Sequence, residues 1–260
     1  MRIFAVLSFA WAILTMAMPA AAQITKAPAQ ASKRAITVET VAKGLVHPWG
    51  LEFLPGGRLL VTERPGRMRI VAKDGKLSEP LQGVPAVYAS GQGGLLDVTL
   101  SPDFSTSGMI YFAYAEPRGG GQNGTTAARA RLVLQGEGGR LDNFQIIFRQ
   151  QPSYASSSHF GSRIVFARDG SLFVTLGDRF SARDEAQNPA NHIGKVVHLN
   201  FDGTPHASNQ KLPGWASENW SIGHRNPQSA AIHPVTGKLW TVEHGARGGD
   251  EVNVPEAGRN

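Results

Sequence analysis

No cysteine occurs among the 260 residues. That absence excludes disulfides, thiolate zinc sites, cysteine nucleophiles and iron–sulfur clusters together. Charge is sparse, at 18% of residues, against 41% hydrophobic residues, so the chain has the composition of a packed domain rather than a disordered one. Aromatics make up 8% and are not interleaved with Lys and Arg in stripes. The net charge of +6 therefore does not describe a surface for nucleic acid, and DNA and RNA are excluded as partners. It favours small anionic partners instead. The 30 glycines and 16 prolines show no Gly-X-Y period, which excludes collagen and leaves a fold rich in turns.

Long apolar runs are also lacking, with one exception at the start. Met1-Arg2 precedes an almost unbroken apolar stretch over residues 3–18, and Ala20-Ala21-Ala22 follows before Gln23. A positive start, a short apolar core and an A-x-A site predict a secretory signal peptide over residues 1–22, cleaved after Ala22. Residues 23–35, rich in Ala, Lys and Pro, read as a flexible arm. Nothing later approaches the ~20 apolar residues of a spanning helix, so no membrane span is predicted in the mature chain. The expected location is periplasmic or secreted, with residues 36–260 forming the folded domain.

What is present is a repeat. One unit is Gly50-Leu51-Glu52-Phe53-Leu54-Pro55-Gly56-Gly57-Arg58-Leu59-Leu60-Val61-Thr62-Glu63. Related units begin at Asp97, Arg163 and Ala230. Each is a short apolar strand, a turn rich in Pro, Asp or Gly, and a second apolar strand. With Phe53, Leu100, Phe166 and Ile232 as equivalent positions, the steps are 47, 66 and 66 residues. This predicts an all-β fold, a β-propeller of four-stranded antiparallel blades with about four blades present. Helical periodicity is nearly absent; residues 184–187 would make one turn at most. The second strands of three units end on acids, Glu63, Asp178 and Glu243. Equivalent strand ends share one face of a propeller, so converging carboxylates and histidines are expected there, unless these acids only solvate strand edges.

Several segments carry chemistry. His159 sits just before a strand, where an imidazole with a near-neutral pKa suits a general base. Asp178 ends the hairpin that His159 opens, so a carboxylate could orient the ring across it. Most of the eight histidines have bland readings; His233 occupies a turn position and is expected to be structural. Gln92, in Ser90-Gly91-Gln92-Gly93-Gly94, offers an amide where glycines allow close backbone approach, or merely leads into a blade. Arg225, in Gly223-His224-Arg225-Asn226-Pro227-Gln228, offers five donors for carboxylate or quinone oxygens; the alternative is a connecting loop. Glu243-His244-Gly245-Ala246-Arg247-Gly248-Gly249-Asp250-Glu251 is rich in oxygen donors that suit Ca²⁺ but lacks EF-hand spacing. Residues 119–125, Gly-rich and without a P-loop Lys, read as a linker between strands.

Taken in order over residues 41–260, these segments resemble the PQQ-dependent soluble aldose sugar dehydrogenases of the glucose/sorbosone dehydrogenase family. The specific parts are Gly91-Gln92-Gly93-Gly94-Leu95-Leu96, His159 with Gly161-Ser162-Arg163, Leu176-Gly177-Asp178, Gly223-His224-Arg225-Asn226-Pro227-Gln228, and residues 245–253. The resemblance implies a six-bladed propeller of which these residues form the N-terminal part, with PQQ on one face, assisted by Ca²⁺. It implies that His159 takes the sugar C1-hydroxyl proton, that Asp178 supports it, and that Gln92 and Arg225 contact sugar or quinone. Arg225, Asn226 and Gln228 would hold PQQ. Carbonyls of Gly245 and Ala246 would bind the Ca²⁺ that polarises it, and Glu251 would serve a second, structural Ca²⁺. An aldose is the implied substrate, with an external electron acceptor and a homodimer following by resemblance only. Ser158 stands where glucose-specific members carry Asp, which implies a broader aldose range.

Two other readings compete. A calcium-dependent propeller lactonase would gather strand-end acids around one metal and need no quinone. A non-catalytic propeller would bind a sugar or a protein without turnover.

Overall fold

The computed structural model describes residues 37–260, and Val38–Asn260 form one compact unit. The predicted signal peptide, its cleavage site and the whole arm lie outside the described residues. No helix among the described residues is long and apolar enough to cross a membrane.

The described chain folds into four antiparallel sheets, each an up-and-down meander. The first contains β1 (Pro48–Phe53), β2 (Leu59–Glu63) and β3 (Arg67–Val71). The second contains β4 (Leu95–Leu100), β5 (Met109–Pro117), β6 (Asn123–Gln135) and β7 (Gly138–Arg149). The third contains β8 (Ile164–Phe166), β9 (Leu172–Thr175), β10 (Val196–Leu199) and β11 (Asn219–Ser221). The fourth contains β12 (Pro227–Ile232), β13 (Leu239–Glu243) and β14 (Glu251–Asn253). The first strands β1, β4, β8 and β12 pack against one another in succession, so the sheets are blades of a propeller with these strands innermost. The four sequence repeats are the hairpins β1–β2, β4–β5, β8–β9 and β12–β13. Helix is confined to one α turn, α1 (Phe104–Ser107), and a 3₁₀ turn at Arg183–Gln187 where a single turn was expected.

Two blades depart from the expected four strands. In the first, the chain after β3 runs back beside it, with Ser78 N–H donating to Ile70 O and Leu81 N–H to Met68 O. A regular ladder would use residue 80 next, but Pro80 has no N–H, so the pairing skips to Leu81 and no strand forms. In the fourth, three strands lie within the described residues. The segment 119–125 also differs from expectation. Only its first part is a turn; Asn123 and Thr125 belong to β6 and are fully buried.

The alternation of side chains along the middle strands explains how blades adhere. Strand β5 sends Ile110, Phe112 and Tyr114 to one face, where they join Leu60, Met68 and Ile70 of the first blade. It sends Tyr111 and Ala113 to the other face, against Ile164, Leu172 and Val174 of the third. Strand β9 repeats the device, with Phe173 meeting Val196 and Leu239 toward the fourth blade. Because successive strand residues face opposite ways, a strand between two blades must be apolar at every position. Each fully buried aliphatic or aromatic side chain contributes about 1.5–3 kcal/mol.

Polar groups join the four blades near the inner strands. Arg163 donates from Nη1 to Asp97 (2.5 Å) in β4 and from Nε to Gln228 O (3.1 Å) in β12. Its guanidinium lies 4.7 Å from the ring centroid of Trp49 in β1. Asp97 also accepts from Ile164 N–H at 2.7 Å. One arginine thus touches an inner strand from every other blade. Burial dominates the carboxyl of Asp97 and pushes it up to about 6 despite Arg163.

Candidate active site

His159 has the backbone of a residue held in place by its surroundings. Its φ is +52°, in the left-handed region that costs a non-glycine residue about 1 kcal/mol or more. The segment around it is gripped from several sides. Its N–H donates to Gln92 Oε1 (2.8 Å), and Gln92 N–H donates to Ser157 O (2.8 Å). Thr125 Oγ1 donates to Phe160 O at 2.7 Å, and Gly161 N–H to Asn226 Oδ1 at 3.0 Å. Arg179, wholly buried, donates to Asn123 Oδ1 (2.5 Å) and Ser156 O (2.6 Å) and lies 3.7 Å over the Phe160 ring. Burial brings its guanidinium down to about 10.

Under this segment lies Gly177. A Cβ there would sit 2.1 Å from His159 O and 3.1 Å from Asn226 Oδ1. The contact admits only glycine, so Gly177→Ala is expected to push His159 out of line and cut turnover by about 100-fold, the usual cost of misplacing a reacting group by an ångström. Unchanged turnover in that variant would mean the His159 backbone is free to shift.

The imidazole meets Asp178 as the hairpin geometry suggested. His159 Nδ1 lies 2.6 Å from Asp178 Oδ1, with both side chains buried. The carboxylate accepts Nδ1–H, which places the Nε2 lone pair outward. No protein group bonds Nε2 among the described residues. The same carboxylate oxygen accepts Phe180 N–H at 2.7 Å.

A second dyad, not foreseen from sequence, occupies the equivalent place one blade on. His224 Nδ1 lies 3.0 Å from Glu243 Oε1, and both pairs are separated by 19 residues in the chain. That common spacing was the signal that could have exposed it. His224 differs in one respect: its Nε2 bonds Ser221 Oγ at 2.7 Å. With both nitrogens occupied it is a structural link, whereas His159 keeps one free. Burial alone would raise the Glu243 carboxyl, but His224, Arg225 N–H and Asn253 outweigh it and hold it below its ordinary 4.5. A carboxyl lowered by folding stabilises the protein fully above that ordinary value, and the contribution is lost as pH falls through the folded one. Thermal unfolding should therefore show stability declining below about pH 4.5, less steeply in Glu243→Gln.

His159, Asp178 and His224 meet at one cleft, and each strand-end acid has a partner of its own. Glu63 is fully buried against Arg67 Nε (2.7 Å) and Val46 N–H (2.5 Å), Asp178 against His159, and Glu243 against His224. They neither solvate edges nor share a metal. Among the described residues, no group of three or more His, Cys, Asp or Glu side chains could hold one. His233 Nδ1 accepts the N–H groups of Val235 and Thr236, the turn role expected of it.

A cleft of about 520 Å³ opens over His159 and Asp178, with Phe180, Arg183, Gln187, His224, Arg225, Ala246 and Arg247 around it. Arg225 spends one donor on His244 O (2.8 Å), while its N–H is fixed by Glu243 Oε2 at 2.7 Å. Three guanidinium groups beside one open imidazole nitrogen fit a polyanionic quinone in charge, volume and donor type. The other residues expected to hold the cofactor adjoin the His159 segment and His244. Asn226 is buried with its oxygen on Gly161, Gln228 Oε1 bonds His244 Nε2 at 2.9 Å, and Gln92 braces the His159 backbone. These contacts use the amide oxygens, and the three NH₂ groups make no hydrogen bond among the described residues. Of the expected calcium donors, Ala246 reaches the cleft, and its carbonyl also accepts Gly249 N–H at 3.3 Å. Gly245 N–H bonds Asp250 at 3.0 Å. Glu251 lines a neighbouring cleft of about 530 Å³ with Glu243 and Asn253, so it and Ala246 serve different places. These hard oxygen donors fit Ca²⁺ in kind, but too few side-chain ligands are present to complete a shell.

The family model described as glucose/sorbosone dehydrogenase matches residues 45–260. The chain belongs to this family. An aldose sugar dehydrogenase of Escherichia coli is 42% identical over 233 residues, covering 88% of this chain and 62% of the relative. The quinoprotein glucose dehydrogenase B of Acinetobacter calcoaceticus is 27% identical over 278 residues, covering 96% and 57%. Among solved structures, an aldose sugar dehydrogenase from Streptomyces coelicolor with PQQ bound superposes with a TM-score of 0.76 at 32% identity, covering 86% of this chain and 64% of that one. The chain thus spans about three fifths of the length of the curated relatives it matches.

Proposed function

We propose that the chain is part of an exported quinoprotein that oxidises aldose sugars at C1 to the lactone. The observation that carries this reading is the single open imidazole nitrogen of His159, held by Asp178 at the floor of an arginine-lined cleft. Membership of the family and the PQQ-bound relative support it.

His159 Nε2 takes the C1-hydroxyl proton. The developing imidazolium is stabilised by Asp178, which also fixes the tautomer. Arg225, with Arg183 and Arg247 beside it, would bind cofactor carboxylates and favour negative charge building on the quinone oxygens. PQQ, when bound, supplies the quinone that accepts hydride from C1 as the lactone forms. Asn226 and Gln228 would hold PQQ together with Arg225, and Gln92, whose oxygen braces the His159 backbone, would contact sugar or quinone. Carbonyls of Gly245 and Ala246 would contribute to a Ca²⁺ acting as Lewis acid, and Glu251 to a separate structural Ca²⁺. The electrons then leave to an external acceptor. The reading includes a homodimer and a periplasmic or secreted location after cleavage at Ala22.

The test is a titration of the purified protein with PQQ and Ca²⁺, followed by quinone absorbance, then addition of an aldose and an electron-accepting dye. Dye reduction that requires cofactor, metal and aldose is the expected result. PQQ binding without reduction would remove the catalytic claim and leave only cofactor binding.

A further inference from the structure

We propose that Phe180 is the sugar-stacking surface of the cleft, the side chain that seats the pyranose ring over His159. The inference rests on the aldose reading above and deepens it. Among the cleft-lining residues Phe180 is the one large apolar side chain; its neighbours are His159, Asp178, Arg183, Gln187, His224, Arg225 and Arg247. It is 57% exposed, so packing among the described residues does not account for it.

The backbone supports the same conclusion. Arg179 and Phe180 both have positive φ, +59° and +64°. Two consecutive left-handed non-glycine residues are unusual, and a bulky aromatic there is disfavoured. The strain is held from both sides. Arg179 is buried on Asn123, Ser156 and Phe160, and Phe180 N–H is bound by the Asp178 oxygen that also orients His159. The turn sends one side chain inward as an anchor and the next outward into the cleft. Strain that yields an exposed aromatic beside the reacting group points to a ligand.

The geometry indicates which ligand. The Phe180 and His159 ring centroids are 5.3 Å apart with planes at 85°. A ring lying against Phe180 is thus within reach of His159 Nε2. An aldopyranose has an apolar face of C–H groups and a rim of hydroxyls. The negative face of a phenyl ring attracts such C–H groups, while the surrounding arginines and amide satisfy the hydroxyls.

The experiment compares wild type with Phe180→Ala, Phe180→Leu and Phe180→Trp. Three quantities are read: PQQ affinity by absorbance, KM and kcat for an aldopyranose, and calorimetric binding of 1,5-anhydroglucitol, which has no anomeric hydroxyl to oxidise. Phe180→Ala should raise KM and the anhydro-sugar Kd together by about tenfold, at the upper end for an aromatic contact, with PQQ affinity unchanged. Phe180→Trp should restore binding and Phe180→Leu should not, which separates a π face from mere bulk. Equal sugar binding in wild type and Phe180→Ala would overturn the proposal, as would loss of PQQ affinity or recovery by Leu. Should wild type bind the anhydro-sugar through Phe180 yet oxidise no aldose, the dehydrogenase reading fails and the stacking surface stands. If wild type binds no sugar, the stacking surface fails.

Discussion

Replacing His159 with alanine is expected to lower kcat for aldose-dependent dye reduction by about 10²- to 10⁴-fold, the usual contribution of a positioned general base. Among the described residues, the imidazole Nε2 is the one histidine nitrogen of the two dyads that no protein group occupies. PQQ affinity should change little, because charge recognition is assigned to the arginines. Asp178→Asn should also lose turnover, for two reasons. An amide can present its NH₂ to Nδ1 and favour the wrong tautomer, and it no longer stabilises the imidazolium. It also disturbs the bond to Phe180 N–H, so KM should rise alongside the fall in kcat. Wild-type kcat in His159→Ala would refute the assignment of the base.

Arg163→Ala is expected to destabilise the protein by about 3 kcal/mol or more. Asp97 is 1% exposed, and Arg163 is its one cationic partner. Removing the arginine leaves a carboxylate that burial already pushes up to about 6. It also removes the tie to Gln228 O and the contact with Trp49. For a domain of this size the loss corresponds to a drop in Tm of about 6–12 °C. The double variant Asp97→Asn/Arg163→Ala should recover part of it, because the buried charge is gone. A Tm within about 2 °C of wild type in Arg163→Ala would show that apolar packing alone joins the blades.

Most of the blade plan was legible in the chain. Four hairpins could be read because each needs only local signals: apolar strands, a Pro, Asp or Gly turn, and a return. The strand missing from the first blade was not read, although Pro80 was in view, because its effect depends on which N–H the neighbouring strand requires. Residues 119–125 were read as a linker; Asn123 and Thr125 look like loop residues until Arg179 and Phe160 are placed over them. At the site, His159 and Asp178 were found because one hairpin brings them together. The oxygens of Asn226 and Gln228 bond the His159 segment and His244, contacts that no local sequence signal announced.

The sequence by itself determined the repeat, the all-β class, the family and the identity of the candidate base. These depend on periodicity and on short motifs, which survive without knowledge of distant contacts. Tertiary structure alone decided which histidine keeps a free nitrogen, because Ser221 caps His224 and no described residue caps His159. It also decided that each strand-end acid has its own partner, that Arg163 joins four blades, and that Phe180 stands exposed in the cleft. Each of these depends on how polar and apolar groups from separate strands satisfy or leave open one another's surfaces. That is settled only when the blades close together.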